Sequence, residues 1–142
     1  MLFGRKARQI VKLLLVEDEP LIAFDNEHIL TDAKFEIVAT VDRVAEALRV
    51  IGSDQPTDLV LVDVALADGS GVDVARAAHA RGIAVLFVTG NFPAEAAAFA
   101  DGCLSKPYAA RDLIGAIGAI EARRDGRPMK KMPSGMQLFD KA

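Results

Sequence analysis

Asp58-Leu-Val-Leu-Val-Asp63 is the stretch that most constrains what this chain can fold into. The apolar run Leu59 to Val62 is too short for a helix and rich in strand formers. Such a run suits a strand buried on both faces of a parallel sheet. A strand of that kind needs a covering layer on each side, and its carboxyl end is where open α/β sheets place their chemistry. Here that end is a carboxylate, Asp63, after which Val64-Ala-Leu66 lead to the turn signal Asp68-Gly-Ser-Gly71. The earlier apolar run, Lys12-Leu-Leu-Leu-Val16, also ends in acid, at Glu17-Asp-Glu19. Two strands that deliver carboxylates to one sheet edge make a divalent-metal site an expectation of the sequence.

The rest of the chain alternates strand and helix patterns. Pro20 is placed to open a helix, because its missing N–H has no partner in a first turn. Ile22, Asn26, Ile29, Leu30 and Ala33 then trace one helical face, ending near Lys34. Phe35 to Ala39 alternates as a second strand, and Asp42 is placed to cap a helix to about Ile51 with Val44, Ala47, Leu48 and Ile51 inward. A third helix runs from Val72 to Arg81 and stops at Gly82. Ile83 to Val88 is another wholly apolar strand, ending in Thr89-Gly-Asn91. A short Ala-rich helix spans Pro93 to Ala100, a brief strand covers Gly102 to Ser105, and a last helix runs from Ala109 to about Arg124 with Leu113, Ile114, Ile117 and Ile120 as its stripe. The pattern predicts five strands and five helices, (βα)5, as a doubly wound three-layer sandwich. Residues 1–11 read as a loose basic leader, 12–124 as the domain and 125–142 as a flexible basic tail.

Composition narrows the function classes. At 142 residues the chain has room for one domain with a sizeable core. No apolar stretch approaches the roughly 18 residues of a membrane span, and the start lacks the apolar centre of a signal peptide. A single cysteine excludes an internal disulfide and fits a reducing cytoplasm. The net charge of −3 hides a division: residues 13–122 hold 7 Lys/Arg against 18 Asp/Glu, a balance of −11. So acidic a body is not expected to bind nucleic acid.

In a parallel sheet all strands end on one side, which brings Glu17 and Asp18, Asp63, Thr89 and Lys106 to a common rim. Hard carboxylate oxygens suit Mg2+, with Mn2+ as a substitute. A phosphoryl group at Asp63 would meet the metal, a hydroxyl, an ammonium and loop N–H groups, and phosphoryl transfer needs mainly positioning and charge neutralisation. Asp63 is therefore a candidate nucleophile for an acyl phosphate.

At this point the set resembles a known family, the receiver domain of two-component response regulators. The matching pieces are Leu15-Val-Glu-Asp-Glu-Pro20, Leu61-Val-Asp-Val64, Val88-Thr-Gly90 and Ser105-Lys-Pro-Tyr108, within roughly residues 12–122. The resemblance implies a flavodoxin-like fold with strand order 2-1-3-4-5. It implies that Asp63 accepts phosphate from a sensor histidine kinase or a histidine phosphotransfer protein. It also implies that Glu17, Asp18, Asp63 and the Ala65 backbone carbonyl hold Mg2+, that Thr89 is the switch hydroxyl and that Lys106 pairs with phosphoryl oxygens. Two features depart from the family pattern. Cys103 stands where an aromatic switch residue is usual, and the Thr89–Lys106 interval is short, so the fourth helix should be stunted.

The expectation is a stand-alone cytoplasmic receiver, not an enzyme acting on other substrates. It would signal to a downstream protein or relay phosphate, with a homodimer as one way to do so. The alternative is an Mg2+-dependent phosphatase or phosphotransferase working through an aspartyl phosphate. That chemistry calls for an acid/base two residues beyond the nucleophile, and Ala65 stands there. Leu21 and Phe24, off the inward stripe of the first helix, are a candidate docking edge for a helical partner. His28 and His79 are read as ordinary helix residues, and Cys103 as a small buried apolar group.

Overall fold

Side chains of a strand point alternately to its two faces, and here both faces are apolar. Leu13, Leu15, Leu59, Leu61, Leu86, Val88 and Leu104 supply one buried cluster, while Leu14, Val16, Val60, Val62, Val85, Phe87 and Cys103 supply the other. The computed structural model, which describes residues 8–129 and 131–140, shows how helices cover both. In chain order the elements are β1 Lys12–Val16, α1 Pro20–Asp32, β2 Glu36–Val41, α2 Val44–Ile51, β3 Leu59–Val62, β4 Ala65–Leu66, β5 Gly69–Ser70 and α3 Gly71–Ala80. There follow β6 Ala84–Thr89, a 3-10 helix Ala94–Phe99, β7 Gly102–Ser105, α4 Ala110–Arg124 and β8 Met136–Leu138. The main sheet has the order β2-β1-β3-β6-β7-β8. Its first five strands are parallel, as the expected 2-1-3-4-5 order requires.

Leu30 of α1 and Leu113, Ile117 and Ile120 of α4 close one face. Ala47 and Ile51 of α2, Val74, Ala75 and Ala78 of α3, and Ala96 and Ala100 around the 3-10 helix close the other. The architecture is the doubly wound α/β sandwich expected. Among the described residues no helix is long and apolar enough to cross a membrane.

Local causes are visible at the helix starts. Pro20 occupies the first turn of α1, and the Ser70 hydroxyl accepts a hydrogen bond from the Val72 N–H at the start of α3. For α2 the expectation of an Asp42 cap does not hold. Arg43 sits at the cap position, and the Asp68 carboxylate, from the β4–β5 turn, accepts from the Val44 and Ala45 N–H groups. Asp68 comes from 24 residues away, which local sequence patterns do not reveal. Leu48, expected inward, is exposed.

Three further expectations need correction. The fourth helical segment is 3-10 rather than α, so the described chain has four α-helices. Six residues between Pro93 and Ala100 cannot offset the cost of nucleating an α-helix with the few bonds they would form. The leader reaches only partly into the described residues. Residues 1–7 lie outside them, whereas Ile10 is buried in the core and the Gln9 and Ile10 N–H groups both donate to Glu121 Oε1.

The third correction concerns the tail. Residues 136–138, expected to be flexible, form β8, antiparallel to β7 with Gly102 opposite Leu138 and Leu104 opposite Met136. An uncovered β7 would present a row of unpaired N–H and C=O groups, which β8 satisfies. Met136-Gln-Leu138, following Pro133-Ser-Gly135, alternates over three residues only, too short a run to read as a strand from sequence. Gly102 permits this approach. A Cβ there would lie 2.7 Å from Met136 Cε and 3.0 Å from the Gln137 carbonyl oxygen.

A pair of substitutions with opposite signs tests this packing in urea unfolding. Gly102→Val forces β8 off β7 and is expected to cost about 1–3 kcal/mol. Gly118→Ala, at an exposed position of α4 with nothing within 4 Å of the new methyl, is expected to stabilise by roughly 0.5–1 kcal/mol.

Candidate functional site

The carboxyl ends of the parallel strands form one rim, and the ladder fixes who meets whom there. Val16 of β1 is level with Val62 of β3, so Glu17 and Asp63 emerge side by side. Both are held past the last ladder pair: the Glu17 N–H donates to the Val41 carbonyl at 3.0 Å and the Asp63 N–H to the Val16 carbonyl at 3.2 Å. Two strands further on, Thr89 is level with Ser105, and the Lys106 N–H donates to the Thr89 carbonyl at 3.0 Å. The Lys106–Pro107 peptide bond is cis.

From there the Lys106 ammonium reaches back across the rim. Its Nζ lies 2.8 Å from Asp63 Oδ2 and 3.2 Å from Glu17 Oε1. Glu17 and Asp63 are 4% and 9% exposed, so neither carboxylate is well served by water. Glu17 Oε2 also accepts from the Glu19 N–H at 3.1 Å, and Asp63 Oδ1 from the Ala65 N–H at 3.4 Å. Burial pushes the Glu17 carboxyl above its ordinary value, although the Glu19 N–H and the Lys106 ammonium pull the other way. For Lys106, burial works against the charge. The hydrogen bond to Asp63 and the charges of Glu17 and Asp63 nevertheless leave it above its ordinary value.

Asp18, half-buried beside this pair, completes a cluster in which one oxygen from each of Glu17, Asp18 and Asp63 lies within 4.8 Å of the others. The three carboxylates and one ammonium carry a formal balance of −2, the charge a divalent cation neutralises. The Glu17 and Asp63 oxygens each retain a second lone pair beside the one a protein donor occupies. The donor set is all hard oxygen, which fits Mg2+.

The remaining expected residues are placed differently. Thr89 ends β6 at the same rim and is buried, but its hydroxyl is engaged with its own loop. Oγ1 donates to the Asn91 carbonyl at 3.3 Å and accepts from the Asn91 N–H at 3.2 Å. Ala65 is exposed in β4, two residues beyond Asp63.

Sequence reasoning passed over Gly71. A Cβ at Gly71 would lie 2.0 Å from the Asp63 carbonyl oxygen, so α3 can start this close behind the site only with glycine there. The repeated Gly69-Ser-Gly71 was the available signal. Tyr108 was also undervalued. Its hydroxyl donates to buried Asn26 at 3.1 Å, tying α1 to the segment that carries Lys106. Between them lies an open cleft of about 410 Å³ lined by Ile22, Asp25, Asn26, Lys106, Pro107 and Tyr108.

Cys103, at the position of the missing aromatic, is buried in β7, and burial pushes its thiol up to about 11. Aromatic rings gather beside it from elsewhere: Phe87 against Phe92 at 5.4 Å, and Phe92 stacked on Phe139 at 5.1 Å.

The thiol provides a check on this burial. Its proton is held more tightly in the folded chain than in the unfolded one, where the ordinary value is 9.0. The thiolate fraction at pH 8 is then about 100-fold smaller in the native state, a difference of roughly two pKa units. Iodoacetamide should modify the native chain at least that much more slowly than the urea-unfolded chain. Equal rates would show that Cys103 is not enclosed.

Comparison with known proteins agrees with this geometry. A family model described as the response regulator receiver domain matches residues 13–118. The transcriptional regulatory protein PdtaR of Mycobacterium tuberculosis is 34% identical over 120 residues, covering 79% of this chain and 57% of its own length. The two-component response regulator PhoP of Pseudomonas aeruginosa is 30% identical over 139 residues, covering 92% of this chain and 60% of its own length. The chain thus spans less than two thirds of these curated relatives. Among solved structures, a response regulator receiver domain protein from Methanospirillum hungatei superposes with a TM-score of 0.73 at 26% identity, covering 83% of this chain and 98% of that one. A response regulator receiver protein from Sinorhizobium medicae gives 0.71 at 27% identity, covering 82% and 98%. With this fold, this rim and a family match over most of its length, the chain belongs to the response regulator receiver domain family.

Proposed function

We propose that this receiver takes a phosphoryl group onto Asp63 from the phosphohistidine of a sensor kinase or a histidine phosphotransfer protein. The reading is carried by one observation: an ammonium 2.8 Å from a buried carboxylate that shares an oxygen cluster with two further acids. In the transfer, an Asp63 oxygen attacks phosphorus, the P–N bond breaks, and its electron pair leaves on the imidazole nitrogen. Lys106 already lies against Asp63 and shifts its hydrogen bonds onto the incoming phosphoryl oxygens. Glu17, Asp18, Asp63 and the Ala65 carbonyl are the groups that would hold Mg2+. When bound, Mg2+ supplies positive charge to the transferring group and offsets the clustered carboxylates. Thr89 is the hydroxyl that turns to the phosphoryl group once it is in place.

Receivers of this family interact with kinases or phosphotransfer proteins and with downstream proteins, and we infer the same classes of partner for this chain, acting in the cytoplasm. Turnover of a small phosphorylated substrate is the weaker reading, because Ala65 offers no acid/base group two residues past Asp63.

Incubation with Mg2+ and a small acyl phosphate, followed by intact-mass measurement, tests the proposal. Wild type should gain one phosphoryl group and Asp63→Asn none; equal gains would contradict it. By titration, Asp18→Asn should weaken Mg2+ binding at least about tenfold, the lower end of losses seen even for residues that only support a ligand. Unchanged affinity would remove Asp18 from the metal site.

A further inference from the structure

The position usually filled by an aromatic switch is occupied here by a cysteine, yet the site has an aromatic connection to the chain's own carboxyl-terminal segment. Thr89 is tied to Asn91 by two hydrogen bonds. The next residue, Phe92, stacks on Phe139 with ring centroids 5.1 Å apart and planes inclined by 15°. Phe139 follows directly on β8, and its N–H donates to the Asp101 carbonyl at 3.0 Å. On the other side of β8, the Ser105 N–H donates to the Gly135 carbonyl at 3.0 Å. Pro133 rests on α4, where a methyl at Gly115 would lie 3.0 Å from its Cγ. Asp140 pairs with Arg123 of α4 at 2.7 Å. Residues 133–140 thus lie as a strap over β7 and α4.

We propose that this strap is the element the site moves: a phosphoryl group at Asp63 loosens residues 133–140 from β7 through Thr89, Asn91 and Phe92. The proposal rests on the reading of Asp63 as phosphoryl acceptor. A threonine hydroxyl has one proton to donate. In this structure that proton goes to the Asn91 carbonyl, so donation to a phosphoryl oxygen requires Thr89 to release that carbonyl. The peptide leading into Phe92 then loses its anchor, and the ring that Phe139 stacks on is no longer fixed. The strap is suited to respond. It has one three-residue strand, its Met136, Leu138 and Phe139 side chains are only partly buried, and its ion pair to Arg123 is exposed. Segments of that kind occupy the low-stability end of a fold.

Amide hydrogen exchange on the full chain, read by NMR with and without Mg2+ and beryllofluoride as phosphoryl mimic, tests this. The expected result is displaced Ala65 and Lys106 amide resonances together with exchange at Phe139 and Ser105 faster by at least about tenfold, the mark of local opening. Displaced site resonances with unchanged Phe139 and Ser105 rates would overturn the strap and leave the acceptor reading intact. No displacement at the site would overturn the acceptor reading and the strap with it. Thr89→Val keeps the side-chain shape but cannot hold Asn91. Its strap amides should exchange fast from the outset and gain nothing further from the mimic, whereas slow exchange in this variant would refute the route through Thr89.

Discussion

A single ammonium held between two buried carboxylates organises this molecule. Without Lys106, the registered ends of β1 and β3 would set Glu17 and Asp63 side by side, out of water and without a cation. Like charges in so dry a place resist joint ionisation. Lys106 arrives from β7, so the pairing stretches over four neighbouring strands, β1-β3-β6-β7, and closes only if β6 and β7 are correctly placed. Even so, the rim keeps an excess of negative charge, and Glu17 retains the raised proton affinity that burial imposes. The site is therefore strained electrostatically in a direction that a divalent cation relieves.

That arrangement is affordable because everything beneath the rim is apolar. Leu59, Val60 and Val62 are fully buried, as are nearly all of the side chains of β1 and β6 that flank them. The polar groups of such strands are satisfied along the ladder, and the only places left for charge are the strand ends. Buried charge pairs are weak evidence for stability and better evidence for a site under functional demand. Gly71 belongs to the same logic, since the start of α3 sits almost in contact with the Asp63 backbone and fixes where that carboxylate emerges.

How much of this was legible in the sequence depended on how local each cause is. Buried parallel strands announce themselves as apolar runs, and a carboxylate at the end of such a run is visible without coordinates. Thus Glu17, Asp18, Asp63 and Lys106 were found together, and their convergence needed only the rule that parallel strands end on one side. The placement of Thr89 at the rim was also readable, but not that its hydroxyl bonds to Asn91, because a rotamer leaves no trace in composition. Asp68 was missed as the cap of α2 because it arrives from another turn. β8 was missed because Met136 to Leu138, though alternating, is too short a run to establish a strand, and its strand state comes from the open edge of β7. The six residues Ala94 to Phe99 look α-helical by propensity, and their shortness decided otherwise.

The central claim is that the phosphoryl group resides on Asp63 and on no other acid of the cluster. Reduction of the phosphorylated chain with borohydride converts an aspartyl phosphate to homoserine, which peptide sequencing by mass spectrometry locates. The account predicts conversion at position 63 alone. Conversion at Asp18 with position 63 untouched, or a phosphoryl group recovered on His28 or His79, would contradict it.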